Sequence, residues 1–171
     1  MQEAAQIHPL DPVWDAGSRI LILGSFPSVR SRETGFYYGH PSNRFWCVLA
    51  ALLGCEQPRG TEEKERMLRA HGIALWDVVK QCRICGSSDS SIREVVPNDL
   101  REWLERYPVR RIYTNGQTAD RLYRRYLEHQ TGMEATCLPS TSPANARLRA
   151  GDLVAQWRVI LQDLTPEEDG R

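Results

Sequence analysis

Ile20-Leu21-Ile22-Leu23-Gly24-Ser25-Phe26-Pro27 is the stretch on which the fold turns. Four consecutive aliphatic residues leave no polar face for solvent, so they predict a strand covered on both sides and stopped by Gly24. Such strands belong to parallel sheets lying between helices. Working outward, residues 73–79, 109–114 and 134–138 offer three further candidate strands. Helical signals lie between them. Residues 45–53 are apolar and end at Gly54, with Asn43 as the expected cap. Thr61, Glu62, Glu63, Lys64 and Glu65 open a second helix that ends near His71-Gly72. A third runs from Asn98 through Arg106 to the break at Pro108, a fourth covers 117–129, and a fifth covers 151–164. Strands alternating with helices predict an α/β fold, a three-layer α/β/α sandwich around a central, mostly parallel four-stranded sheet. No linker or repeat interrupts it, so residues 1–171 are expected to form a single domain with its core at about 18–164.

Two stretches resist that pattern. Residues 25–42 are rich in Gly, Pro, Ser and aromatics without a helical period, and residues 82–91 form a polar loop. A loop as long as the first is usually functional in a compact domain. In a parallel sheet, ligands bind beyond the carboxyl ends of the strands. Those ends deliver Gly24 to Pro27, Trp76-Asp77, Asn115-Gly116 and Ser140 to Pro143, which predicts one shared pocket.

Charge gives no global signal, since 22 basic residues balance 22 acidic ones. Four arginines lie between Arg19 and Arg44 with a single acid, and Arg147 and Arg149 follow the last loop. The acids gather at 61–65 and in the tail Glu167, Glu168 and Asp169. If folding unites 19–44 with 140–149, one basic face results, sufficient for phosphate contacts; evenly scattered solvated charge is the alternative. Five cysteines, without an apolar leader-like run at the start, fit a reducing, cytoplasmic setting. No apolar stretch reaches the length of a membrane span. Cys82 and Cys85 have the spacing of half a zinc or iron–sulfur site, but Cys47, Cys55 and Cys137 supply no second pair, so ordinary thiols and no metal are expected. His8, His71 and His129 read as surface or core residues.

The polar and aromatic residues of the strand ends suit recognition of a flat heterocycle. Phe26, Phe36, Tyr37 and Tyr38 offer faces on which a base can stack, or else pack their own loop. Asn43 could aim its amide at a ligand, or merely cap a helix. Asp77 and Asn115 could read the hydrogen-bonding edge of a base, or serve a cap and a turn. The loop from Ser140 to Asn145 could grip phosphate through its backbone amides, or simply connect a strand to a helix.

Gly39-His40-Pro41-Ser42-Asn43-Arg44-Phe45-Trp46 resembles a signature shared by mismatch-specific and deoxyinosine-type DNA glycosylases. Gly24-Ser25-Phe26-Pro27-Ser28 stands where that superfamily has its first catalytic motif. Trp76 to Lys80, Gly86 to Ser90, Thr114-Asn115-Gly116 and Pro139 to Asn145 resemble the remaining blocks, in order, over roughly residues 18–160. The chain thus resembles the deoxyinosine-glycosylase-like branch of the uracil-DNA glycosylase superfamily, related to mismatch-specific uracil/thymine enzymes. It departs from the classical uracil enzymes twice. Phe26 takes the place of their water-positioning Asp or Asn, and Ser140 that of a histidine that stabilises the departing base, so neither role carries over.

The resemblance implies a monofunctional DNA glycosylase of base-excision repair. Such an enzyme flips out a deaminated base, uracil or hypoxanthine, and hydrolyses its N-glycosidic bond without a cofactor. Asn43 is then the residue expected to position water. Phe26, Tyr38, Phe45, Asp77 and Asn115 would bind the base, and Ser28, His40, Arg44, Ser140, Ser142, Asn145, Arg147 and Arg149 would bind DNA. Lys80 lies beyond a strand end and indicates no Schiff-base lyase step. The expected partner is DNA, single-stranded or mismatched, engaged by a monomer. Two other classes fit the same residues: a nucleoside or small-molecule hydrolase, and a catalytically silent damaged-DNA binder.

Overall fold

The computed structural model describes residues 4–166; the tail acids Glu167, Glu168 and Asp169 lie outside the described residues. Its centre is the strand pattern read above. Strand β2 (Ile20–Gly24) is flanked by β3 (Ile73–Asp77) and β6 (Arg111–Asn115), and β7 (Ala135–Leu138) joins at the β6 edge, all parallel. Every residue of β2 is buried. Its side chains alternate between two cores: Ile20 and Ile22 face one, Leu21 and Leu23 the other. Full burial of each such side chain contributes about 1.5–3 kcal/mol.

Helices cover both faces. On the first, α2 (Phe45–Leu53), α3 (Gly60–Ala70) and α7 (Ala150–Trp157) bury Phe45, Leu49, Leu68 and Trp157 over Ile20 and Ile22. On the second, α5 (Gln117–Tyr126) sets Leu122 and Tyr123 against Leu21, Leu23 and Ile112, and Leu127 at its end joins them. The α4 helix (Arg101–Arg106) adds Trp103 to a stack with Trp14 and Tyr107 on this side. The shorter α1 (Val29–Thr34), α6 (Glu128–Thr131) and α8 (Leu161–Leu164) complete the order, with α7 running through a 3₁₀ turn at Arg158–Ile160 into α8. The layering is the expected one.

Four local expectations change. The run 73–79 is not one strand, because the chain turns out of the main sheet after Asp77. Val78 and Val79 donate backbone bonds to Gly24 and Ser25 at 2.9 and 3.1 Å, and a new strand, β4 (Val79–Ile84), begins. With β1 (Ala4–Ile7) and β5 (Arg93–Pro97) it forms a second, antiparallel sheet in the order β1-β4-β5, which takes in 82–84 of the stretch 82–91 read as a loop. Asn98 does not cap α4: it is buried and its amide donates to the Asp77 carbonyl at 2.9 Å, while Asp99 accepts from Arg101 N–H. Residues 25–42 contain one helix, α1, capped by the Ser28 hydroxyl.

Candidate functional site

All four parallel strand ends open into one cleft of about 1010 Å³. Of the residues singled out from sequence, Phe26, Ser28, Tyr38, His40, Asn43, Asp77, Asn115, Ser140, Ser142, Asn145 and Arg147 line it. Phe45, Arg44 and Arg149 do not, each for a physical reason.

Phe45 is fully buried and lies behind Tyr38, their rings stacked at 4.1 Å, so it backs a cleft wall without facing the cleft. Arg44 is a clamp. Its guanidinium donates to the carbonyls of Ser142 and Asn145, both at 2.8 Å, and to that of Leu148, while its backbone N–H donates to Thr141. These bonds fix the last loop from inside. Arg149 stands exposed ahead of α7, and its N–H is taken by the Asp152 carboxylate at 2.9 Å.

Arg44 joins the 19–44 segment to the 140–149 loop, and the other arginines of that segment each have a partner. Arg19 donates to the Leu164 carbonyl, Arg30 pairs with Glu33, and Arg32 bonds the Gly86 carbonyl while lying over the Phe26 ring. Arg147 and Arg149 remain, exposed beside the last loop.

Asn43 is fixed by the first turn of α2. Its Oδ1 accepts from Phe45 N–H at 2.9 Å, which identifies the oxygen; among the described residues the amide nitrogen has no hydrogen-bond partner, and the residue lines the cleft. The N-cap residue of α2 is Arg44 and not Asn43, which lies one residue earlier, turned onto the helix start by its oxygen and left with a spare donor in its nitrogen. Asn115, at the end of β6, is tied to Thr141 in both directions: its Nδ2 donates to the threonine hydroxyl at 3.0 Å and its Oδ1 accepts from the threonine N–H at 3.1 Å. Its amide first of all locks the loop to the sheet. Ser140, Ser142 and Asn145 spend side-chain bonds on the same loop, accepting from Ser142 N–H, accepting from Ala144 N–H, and donating to the Ser140 carbonyl. Ser28 caps α1, and exposed His40 accepts from Ser42 N–H.

Asp77 closes the floor. Only 4% of its side chain is exposed, and a β-carbon at Gly24 would overlap its Oδ1 and come within 3.0 Å of the Tyr38 hydroxyl. Gly24 thus lets two polar groups converge over the end of β2. Tyr38 reaches that point from a left-handed backbone, φ 52°, which costs a non-glycine residue on the order of 1 kcal/mol or more. Its hydroxyl is buried without a partner among the described residues, a loss of about 1–3 kcal/mol. Burial, reinforced by the Asp77 charge and eased by the Asn115 amide, pushes the phenol well above its usual range, so it is a donor.

Sequence reasoning missed two participants. His8, assigned to the surface or core, reaches the Asp77 carboxylate at 2.7 Å with 3% of its side chain exposed. No local pattern could pair residues 69 apart in sequence. Asp89 lay within a quoted block without a role of its own. It lines the cleft and accepts from the Ser25 hydroxyl at 2.8 Å. Desolvation by the surrounding protein, partly offset by the Ser25 hydrogen bond, raises its carboxyl above its ordinary value, although the residue is exposed. Cys82 is buried, its thiol pushed up to about 11 by burial, and Cys85 is half-buried.

Comparison with known proteins adds to this geometry. The profile of a family described as the uracil DNA glycosylase superfamily matches residues 12–165. A hypoxanthine DNA glycosylase of Methanosarcina acetivorans is 36% identical over 152 residues, 88% of this chain and 94% of that protein. One of Methanosarcina barkeri is 33% identical over 138 residues, 80% of this chain and 86% of the relative. A solution NMR structure of a candidate uracil DNA glycosylase from M. acetivorans superposes with a TM-score of 0.75 at 36% identity, covering 91% of this chain and 99% of that one.

Proposed function

The chain belongs to the uracil DNA glycosylase superfamily, and from that premise we propose that it removes a deaminated base, hypoxanthine or uracil, from DNA by hydrolysis of the N-glycosidic bond. The observation that carries this reading is the cleft, where an oriented amide donor, two carboxyl groups and a buried phenol converge beyond the ends of four parallel strands.

The reaction breaks the bond from the sugar C1′ to the base nitrogen, gives the oxygen of one water to C1′, and returns a proton to the departing base. Positive charge develops on the sugar as the bond stretches, so carboxylates nearby lower the barrier. Asn43, with Oδ1 held by Phe45 N–H, offers only N–H donors to the cleft. It can hold the water oxygen but cannot take its proton. That role falls to a carboxylate, and Asp89 is the one not engaged with the base. Asp77 and Tyr38 meet the base, and Phe26 lines the same cleft. Arg147 and Arg149 hold flanking phosphates, with His40 and the 140–145 loop beside them. Ser28, Arg44, Phe45 and Asn115 support these groups.

We further propose that one copy acts alone, in the cytoplasm, on single-stranded or mismatched duplex DNA. No helix among the described residues is long and apolar enough to cross a membrane.

Base release from oligonucleotides carrying hypoxanthine, uracil or xanthine, single-stranded or paired, beside free deoxyinosine as substrate, tests the reading. Release from DNA with none from the nucleoside is expected. Cleavage of the free nucleoside alone would make the chain a nucleoside hydrolase, and tight binding to damaged DNA without release would make it a silent binder.

A further inference from the structure

His8 enters the site from β1 of the small sheet, whose register with β4 (Gln6 opposite Cys82, Ile7 opposite Gln81) brings the chain alongside the end of β3. The backbone N–H of His8 donates to the Lys80 carbonyl at 2.8 Å, anchoring the residue. Its ring lies edge-on to Phe26, centroids 5.8 Å apart, and near Tyr37 at 6.3 Å. The two ring nitrogens have different partners. Leu10 N–H donates to Nδ1 at 3.2 Å, so Nδ1 carries a lone pair and the ring proton belongs on Nε2. That Nε2–H donates to Asp77 Oδ2 at 2.7 Å. Asn98 and Gly24 hold the Asp77–Val78 turn behind it, through the Asp77 carbonyl and Val78 N–H. With Oδ2 occupied, Oδ1 is left over Gly24 beside the unpartnered Tyr38 hydroxyl.

We propose that His8 is a positioning residue that fixes Asp77 as a hydrogen-bond acceptor, so that Asp77 Oδ1 and the Tyr38 hydroxyl together read an N–H beside a C=O on the extruded base. The proposal rests on the glycosylase reading above and assigns its specificity. Hypoxanthine presents N1–H next to O6, and uracil N3–H next to O4. Adenine and cytosine present a bare ring nitrogen beside an amino group at the corresponding positions. Against the floor of this cleft their ring lone pair would face the Asp77 carboxylate, two acceptors with no proton between them. The device therefore separates deaminated bases from their parents by the polarity of one edge, and it operates only while the Asp77 carboxylate is held in orientation. His8 does this in the way a third group orients a catalytic pair.

Two measurements on the full chain test it. The ring ¹⁵N signals of His8 at neutral pH should show the Nε2–H tautomer. Single-turnover release of hypoxanthine from DNA should fall on the order of 10- to 100-fold in His8→Phe, the cost typical of removing an orienting partner. It should return to within about threefold of the parent in His8→Gln, whose amide nitrogen can donate where Nε2–H did. The rescue separates orientation of Asp77 from mere filling of space, which phenylalanine serves as well. A Nδ1–H tautomer, a His8→Phe rate within about threefold of the parent, or a His8→Gln rate as low as that of His8→Phe would overturn the proposal. Failure of the parent to release any base would be a different result, overturning the glycosylase reading itself and the specificity assignment with it.

Discussion

At the scale of single residues, the cleft separates its two carboxyl groups by their partners. Asp77 is bound to His8 and faces the base; Asp89 is bound to Ser25 and faces the open cleft. Asp77→Asn places an amide where an acceptor is needed, and the ratio of hypoxanthine to uracil release should change, because the two bases offer their N–H at different distances from the sugar. An equal ratio in parent and variant, measured in single turnover, would assign Asp77 to structure alone. Asp89 must be ionised to accept a proton from water. Since protein around it raises its carboxyl above its ordinary value, the rate should climb with pH above the point where a free aspartate would titrate and level off once the group is charged. Asp89→Asn should flatten that limb; a variant that keeps it would place the titrating group elsewhere. Asn43 and Asp77 were legible in sequence because each sits at a helix start or strand end beside an apolar run, and Tyr38 because it belongs to an aromatic loop. His8 was not, since its partner is supplied by strand pairing and not by spacing.

Elements explain what the side chains alone do not. The four parallel strands were legible because β2 and β3 carry near-continuous apolar runs, and β6 and β7 shorter ones, bounded by glycine or polar turns. The small sheet was hidden: β4 reads Val-Lys-Gln-Cys-Arg-Ile, polar enough to pass for a loop, and its partners β1 and β5 are short and polar or end in proline. Yet that sheet brings His8 to Asp77, so the element least visible in sequence completes the best-defined pair of the site. The last loop shows a similar division of labour. Arg44, expected to contact DNA, instead ties 141–148 to the start of α2, and Asn115 ties Thr141 to β6. Arg44→Ala should lower unfolding stability by about 1–3 kcal/mol, as carbonyls inside the loop lose a charged donor. It should also weaken DNA binding through loss of loop order. Chemical denaturation checks the first effect, and an unchanged midpoint would mean that the loop holds itself.

Taken whole, the molecule is electrically neutral, and most arginines of the segment once expected to form a basic face are spent on carbonyls and carboxylates. Arg147 and Arg149 stand exposed beside the last loop. Replacing Arg147 and Arg149 with alanine should weaken binding to every sequence and reduce the slope of log K against log salt by up to about two, roughly one per lost phosphate contact. Fluorescence anisotropy across a salt series reads this directly, and an unaltered slope would remove the loop from the binding surface. Chemistry depends on the cleft itself, where the claim that water is held by Asn43 and delivered to the sugar can be tested alone. With enzyme saturating hypoxanthine-containing DNA, single-turnover base release by Asn43→Ala should be slower than by the parent by about 2–4 kcal/mol of barrier, the range for one preorganised polar contact. A folded Asn43→Ala protein that releases hypoxanthine as fast as the parent would contradict the account.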